Sequence, residues 1–367
     1  MKVLSVFGTR PEAVKMAPIV KLLAQTTGVE SRICVTAQHR QMLDQVLELF
    51  EIKPDYDLDL MREDQTMAQI SAGIFTHLDP ILEELKPDWV LAVGDTTTVV
   101  TTSLLAFYRK IKFGHIEAGL RTHNKWHPFP EEINRRLATV TADLHFAPTE
   151  WSQGNLLREG VDKKAIVVTG NSVIDALKFV SMQAEPKETT DILAKFGSKK
   201  IILVTAHRRE NFGTPLENIC FALKELASRE DVEIVYPVHL NPNVQEPVNR
   251  ILQNVQNITL LPPLDYLPLV HLMKHATLIL TDSGGIQEEA PAFGIPTLVL
   301  RDVTERPEGV EAGTLKLVGT ETSFIVQEAK RLLEDESAYA EMSKAVNPYG
   351  DGHAAEKIIA ALLSTDG

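Results

Sequence analysis

The stretch "VLSVFGTRPEAVKMAP" at residues 3–18 runs from an apolar segment through a single glycine into a helical pattern. Val3–Phe7 reads as a buried strand and Gly8 as the tight turn that ends it. Pro11 suits the first helical position, where its missing N–H costs nothing, and Glu12 falls where the helix dipole favours an acid. Many nucleotide-binding α/β domains begin with a strand that closes on glycine and opens a helix. A dinucleotide fingerprint needs three glycines at this turn, however, and this one has Gly8 alone. Arg10 and Lys15 stand there instead, two cations able to do for an anionic ligand what bare backbone does in a glycine-rich loop.

The same strand-to-helix pattern recurs along the chain. Apolar runs at Val3–Phe7, Ser31–Thr36, Trp89–Val93, Lys112–Ile116, His145–Ala147 and Ile166–Thr169 form one series. Ile201–Thr205, Glu233–Val238, Ile258–Leu261, Thr277–Thr281, Thr297–Leu300 and Thr314–Val318 form a second. Helical patterns such as Gln41–Phe50, Thr97–Tyr108 and Leu216–Ala227 lie between them. The runs are apolar throughout and do not alternate, as expected of parallel strands covered on both faces. The order predicts an α/β fold of two Rossmann-like domains with parallel sheets and a cleft between them. The polar, proline-containing segment "SMQAEPKETTDILAKFGSKK" at 181–200 reads as the join and a hinge.

The totals narrow the partners. At 367 residues the chain is long enough for two domains, each with a full core. Thirty-seven Lys and Arg against 50 Asp and Glu leave a net charge of −13, which argues against nucleic acid and anionic membrane as partners. An anionic ligand then needs cations concentrated locally. Cys34 and Cys220 have no CxxC or metal-ligand neighbour and read as two buried thiols in a reducing compartment. With no signal-like segment and no apolar run of ~18 residues, the expectation is a soluble cytoplasmic protein.

Ligands in doubly wound sheets bind outside the carboxyl ends of the strands. The residues there are biased toward charge: Arg10 and Lys15, then Gln38, His39 and Arg40, then Gly94 with Asp95, and Glu117 with Arg121. In the second half they are His207, Arg208 and Arg209, then His239, Asp282–Gly285, Arg301 and Arg306. "TDSGGIQEEAP" at 281–291 reads as a phosphate cradle, with Ser283 as N-cap and Gly284–Gly285 admitting a ligand close to backbone N–H groups. A carboxylate in the helix that follows would suit a ribose diol. Taken alone, the motif fits a plain capped helix equally well, and "VTAHRREN" at 204–211 fits an exposed basic turn. Asp95 alone could be a helix-start acid, and Glu132 reads as ordinary pairing with a helix dipole. Convergence raises Asp95, Glu117 and Glu131 above that background. Three acids from three loops of one domain would push one another's pKa upward, as acid–base catalysts require.

With those residues in view, the chain closely resembles the non-hydrolysing UDP-N-acetylglucosamine 2-epimerases. The resemblance rests on "FGTRPEAVKMAP", "VTAQHRQMLDQVL", "GDTTT", "HIEAGLRT", "PEEINRR", "HRRENFG", "YPVHLNPNV", "TDSGGIQEEAP" and "RDVTERPE", in that order, and runs from Lys2 to the "NPYGDGHAAEKI" segment at 347–358. It implies the GT-B arrangement of two Rossmann-like domains, a homodimer, and no cofactor or metal. The last helix would cross back onto the first domain, so that 1–171 with 352–367 carries the catalytic acids and 172–351 binds UDP. It also implies catalytic roles for Asp95, Glu117, Glu131 and His207. UDP would be held by Arg10, Lys15, Ser283, Gly284, Gly285 and Glu289. Some bacterial members bind a second, activating UDP-GlcNAc, near the positions of Gln38, Gln41, Glu131, Arg208 and His239. Where some of those members have arginine before "QT", this chain has Asp64.

The implied chemistry is reversible conversion of UDP-GlcNAc to UDP-ManNAc, supplying sugars for bacterial surface polysaccharide. The C2 proton is not next to a carbonyl, and the nicotinamide fingerprint is missing. Breaking the C1–O bond makes that proton removable, giving UDP and 2-acetamidoglucal before re-addition. The rivals are a hydrolysing epimerase, a GT-B glycosyltransferase for which three acids would be surplus, and a nucleotide-sugar sensor that binds without reacting.

Overall fold

A computed structural model describes residues 1–36, 40–60, 62 and 65–365, with the backbone alone at 40 and 41. The chain divides into two compact units. One comprises Met1–Ala176 and the segment from Tyr349 onward, and the other Leu177–Pro348.

The first unit is built on seven parallel strands: β1 (Lys2–Phe7), β2 (Glu30–Val35), β3 (Tyr56–Asp57), β4 (Trp89–Val93), β5 (Lys112–Ile116), β6 (Leu144–Ala147) and β7 (Ile166–Val168). Their order is β3-β2-β1-β4-β5-β6-β7, so the winding reverses between β1 and β4. Leu4, Val6, Val90, Ala92 and Phe113 from the strands pack with Ile74, Leu78 and Leu82 from the Met67–Leu85 helix. The helix Ala354–Ser364 packs on the opening helix Arg10–Gln25. Asp175 caps it, accepting from the backbone N–H groups of Ala354 (3.2 Å) and Ala355 (2.9 Å).

The second unit has six parallel strands: β8 (Lys200–Thr205), β9 (Val232–Pro237), β10 (Ile258–Leu261), β11 (Leu278–Thr281), β12 (Thr297–Val299) and β13 (Leu315–Leu317). Their order is β10-β9-β8-β11-β12-β13, reversing between β8 and β11. Ile202, Val204, Ile234, Leu278 and Leu280 meet Ile219 and Leu223 from one helix and Ile325 and Leu332 from another. Tyr236 is buried in this core with its hydroxyl donating to the Ala206 carbonyl at 2.7 Å. Both cysteines are buried and unpaired, and burial pushes each thiol up to about 12.

The segment 181–200 is not the join. It carries the helix Lys187–Leu193, which packs on Tyr266–His275 and buries Thr189 and Ile192, with Phe196 buried just beyond. The division between units falls earlier, between Ala176 and Leu177 inside the helix Ser172–Ser181. A surface helix held by so few apolar anchors has the composition of a linker, which is why its polarity misleads.

Candidate active site

At the first unit's switch point, Gly8 follows β1 so tightly that a Cβ there would meet the Thr36 hydroxyl at 1.9 Å. The helix begins at Arg10, one residue earlier than expected, with Thr9 as its cap. Glu12 closes the capping box, accepting from the N–H groups of Gly8 and Thr9, both at 2.7 Å. Its other oxygen accepts from the Thr96 hydroxyl at 2.5 Å, tying the β1 turn to the β4 turn. Burial raises the pKa of Glu12, against the pull of those bonds. Arg10 is half-buried at the first helical position. Lys15, read from sequence as a UDP ligand, donates to Glu117.

Asp95 and Glu117 leave the neighbouring strands β4 and β5 through left-handed turns. Gly94 has φ +86° and Glu117, unusually for a residue with a side chain, φ +62°. A Cβ on Gly94 would lie 3.4 Å from a Glu117 carboxylate oxygen, so the two turns are in contact. Asn171, just after β7, donates to Glu117 at 3.0 Å. Arg135 grips Asp95 through Nε (3.0 Å) and Nη2 (2.5 Å), and Asn134 donates to the Asp95 carbonyl at 2.9 Å. Both come from the helix Glu131–Thr141, whose first residue is the half-buried Glu131. Burial raises the pKa of Asp95, Arg135 opposes that, and the negative charge of Glu117 adds to the rise.

Two other charges in this region are structural. Glu132 is fully buried and accepts from the N–H groups of Thr122 (3.0 Å) and His123 (3.2 Å) and from Arg135 (3.3 Å). It therefore holds a loop as well as sitting at a helix start. Arg121, grouped above with the strand-end cations, forms a fork with Glu159 at 2.9 and 2.8 Å and donates to Thr139, all within the fold.

In the second unit the organising residue at the switch point is Asp282, fully buried after β11. One of its oxygens accepts from the backbone N–H of His207 (2.9 Å) and Arg208 (2.8 Å) and from Asn211 Nδ2 (3.0 Å). The basic turn after β8 is thus pinned to the strand beside it. His207 stacks on His239, with ring centroids 5.3 Å apart and planes 16° from parallel. The N–H of Asn241 donates to Nδ1 of His239 at 3.0 Å, fixing the ring on the loop after β9. Ser283 occupies the cap position but makes no side-chain cap bond, and the helix it opens is only Gly284–Glu289. A Cβ on Gly284 would meet the Arg306 guanidinium at 2.8 Å, whereas Gly285 faces open space. Glu289 accepts from the Tyr266 hydroxyl at 3.1 Å. Arg306 donates to Glu288 (2.8 Å), and Arg301 to Glu210 (2.5 Å), so neither strand-end cation stands alone. Gln38 and Asp64 lie outside the described residues, as does the side chain of Gln41.

The family profile described as UDP-N-acetylglucosamine 2-epimerase matches residues 21–363. The chain belongs to the UDP-N-acetylglucosamine 2-epimerase family. It is therefore an isomerase. The UDP-N-acetylglucosamine 2-epimerase of Yersinia pestis is 58% identical, with 99% of this chain and 98% of that one aligned. That of Escherichia coli strain K12 is also 58% identical, over 99% and 98%. Among solved structures, the UDP-GlcNAc 2-epimerase of Neisseria meningitidis bound to UDP-GlcNAc has a TM-score of 0.91 at 50% identity, covering 99% of this chain and all of that one. The Methanocaldococcus jannaschii UDP-GlcNAc 2-epimerase, in complex with UDP-GlcNAc and UDP, has a TM-score of 0.82 at 32% identity, with 99% and 100% covered. The two parallel-sheet units of this epimerase-family chain are of the GT-B type. Sequence reasoning overlooked Arg135, Asn134 and Asn171 and gave Asp282 no role. Only Asp282 carried a signal, lying beside Ser283 at a strand end.

Proposed function

We propose that this isomerase interconverts UDP-GlcNAc and UDP-ManNAc without net hydrolysis, supplying ManNAc-type sugars for bacterial surface polysaccharide. One observation carries the reading: two carboxylates on adjacent turns, Asp95 and Glu117, each paired with a cation, Arg135 and Lys15. The complexes formed by the Neisseria and Methanocaldococcus relatives support UDP-GlcNAc and UDP as ligands.

In the proposed reaction the C1–O bond breaks and its electron pair leaves with UDP. The C2 proton goes to a carboxylate and C1=C2 forms, giving 2-acetamidoglucal. UDP then re-adds at C1 while a second acid delivers a proton to the other face of C2. Asp95 and Glu131 handle the two protons and Glu117 steadies positive charge at C1. The first unit supplies these acids with Arg10 and Lys15. The second holds UDP through Ser283, Gly284, Gly285 and Glu289. Cations and N–H groups aimed at the departing β-phosphate, His207 among them, act most strongly as charge develops there. Gln38, Gln41, Arg208 and His239 are assigned to a second, activating UDP-GlcNAc.

The test is incubation with UDP-GlcNAc in deuterated water, followed by NMR at C2. UDP-ManNAc carrying deuterium at C2 is the expected product. No exchange at C2 would sink the epimerisation, and free ManNAc would mean hydrolysis.

The protein is proposed to work as a cytoplasmic homodimer. Ile133, Leu137 and Val140 line one face of the helix Glu131–Thr141, with Val140 84% exposed, and that helix packs on Thr97–Tyr108, whose Phe107 and Tyr108 are also exposed. Apolar surface of this extent marks an interaction site. In sedimentation, wild type is expected at twice the chain mass and Leu137→Asp/Val140→Asp at the chain mass. A wild-type monomer would remove the dimer. Cytoplasmic placement is supported by the two unpaired cysteines. No helix among the described residues is long and apolar enough to cross a membrane.

A further inference from the structure

His115 lies on β5, two residues before Glu117, and is fully buried. Its Nε2 is 2.7 Å from the carbonyl oxygen of Gly94, at the end of the neighbouring strand. A carbonyl only accepts, so Nε2 carries the hydrogen. Nδ1 is buried and has no hydrogen-bond partner among the described residues. The ring is therefore the neutral Nε2–H tautomer, and burial pushes its pKa down to about 4, so it stays neutral at working pH.

The Gly94 peptide is held at both polar ends by β5. Its N–H donates to the Ile116 carbonyl at 3.0 Å, and its carbonyl receives His115. Gly94 is in the left-handed conformation just past the end of β4, and the donor its carbonyl receives is the His115 side chain. Burial is the main reason a cationic donor would suit the place poorly; Arg121 and Arg135 add to it, and Glu117 opposes it. Phe113 stacks on the ring at 6.2 Å, and His145 is its register partner on β6.

The structure assigns His115 a positioning role: it clasps the turn bearing Asp95 to the strand bearing Glu117, so that the two carboxylates keep their separation. The inference rests on the reading that Asp95 and Glu117 act on the sugar. Misplacing a reacting group by ~1 Å costs ~10²-fold in rate, which sets the scale of the effect.

The test compares His115→Gln, whose amide reaches the Nε2 position, with His115→Asn, which is too short, and His115→Phe, which fills the volume without a donor. Asn and Phe are expected to lower kcat ~30–100-fold, with KM and the UDP dissociation constant within ~2-fold of wild type. Gln should recover to within ~5-fold of wild type. Hydrogen–deuterium exchange of the peptide spanning 93–97 should accelerate ~10-fold in Asn and Phe but not in Gln. This readout follows the clasp whatever reaction the acids perform. Unchanged exchange in Asn and Phe would overturn the clasp, as would equal loss of kcat in Gln and Asn. Faster exchange with kcat unchanged would overturn the positioning role, because the turn would then loosen without displacing the carboxylates. If His115→Phe does not fold, the Gln and Asn pair still decides.

Discussion

Asp95→Asn is expected to stop turnover while UDP still binds: kcat falls ~10³-fold and the UDP dissociation constant stays within ~2-fold. Asparagine keeps the shape and can still accept from Arg135 through its remaining oxygen, so the Nε contact at 3.0 Å has a partner. What it removes is a group able to gain and lose a proton. The carboxyl is well prepared for that task, because burial and the Glu117 charge raise its pKa while Arg135 limits the rise. The residues proposed to hold UDP keep their charges and hydrogen-bonding groups in this variant, so nucleotide affinity should survive. Loss of UDP binding and thermal stability along with turnover would make Asp95 structural.

Arg135→Met should be strongly destabilising. Arg135 is the counter-ion of Asp95 and of the fully buried Glu132, with side-chain exposures of 6%, 22% and 0% respectively. Removing one partner of a buried pair costs about 3–5 kcal/mol, and the partial exposure of Asp95 places the loss at the lower end. For a unit of this size that is a fall of about 10 °C in Tm. The pH dependence has a definite sign. A carboxyl whose folded pKa is raised contributes stability that is complete below its unfolded pKa of ~4 and is lost as pH rises through the folded value. Without Arg135 the Asp95 pKa rises further, so more stability is lost on going to neutral pH. The Tm deficit of Arg135→Met should therefore be small near pH ~4 and widen toward pH ~8. The acid limb of the kcat/KM profile should move upward as well. A deficit that does not change with pH would show that Arg135 is not the counter-ion of Asp95.

The architecture was legible because parallel strands covered on both faces must be apolar along their whole length. Trp89–Val93, Lys112–Ile116 and Ile258–Leu261 match their expected bounds, and most other strands differ by one residue at an end. The exception is β3, which has only two residues, Tyr56 and Asp57, too few to show a pattern. The helix Lys187–Leu193 was missed for a related reason, since two buried side chains do not establish a period.

The site was less legible. The turn residues themselves could be read, since a residue following an apolar run must stand at a sheet edge. Their partners could not. Lys15 and Glu117 are 102 positions apart, Asp95 and Arg135 40, and Asp282 and Arg208 74. Composition counts the charges at that edge but cannot say which neutralise one another. Arg121 with Glu159 and Arg301 with Glu210 are internal pairs, and nothing in their local sequence distinguishes them from ligand-binding cations.

By itself, then, the order of apolar runs, glycines and helix starts determined two doubly wound parallel sheets and the strand ends where chemistry would lie. Hydrophobic periodicity and turn stereochemistry are local properties, legible within a few residues. Only the tertiary structure decided which charges pair, that Asp282 holds the basic turn, and that His115 grips Gly94. Those interactions need contact between distant segments, and they exist only once the sheet has brought neighbouring strands to their spacing.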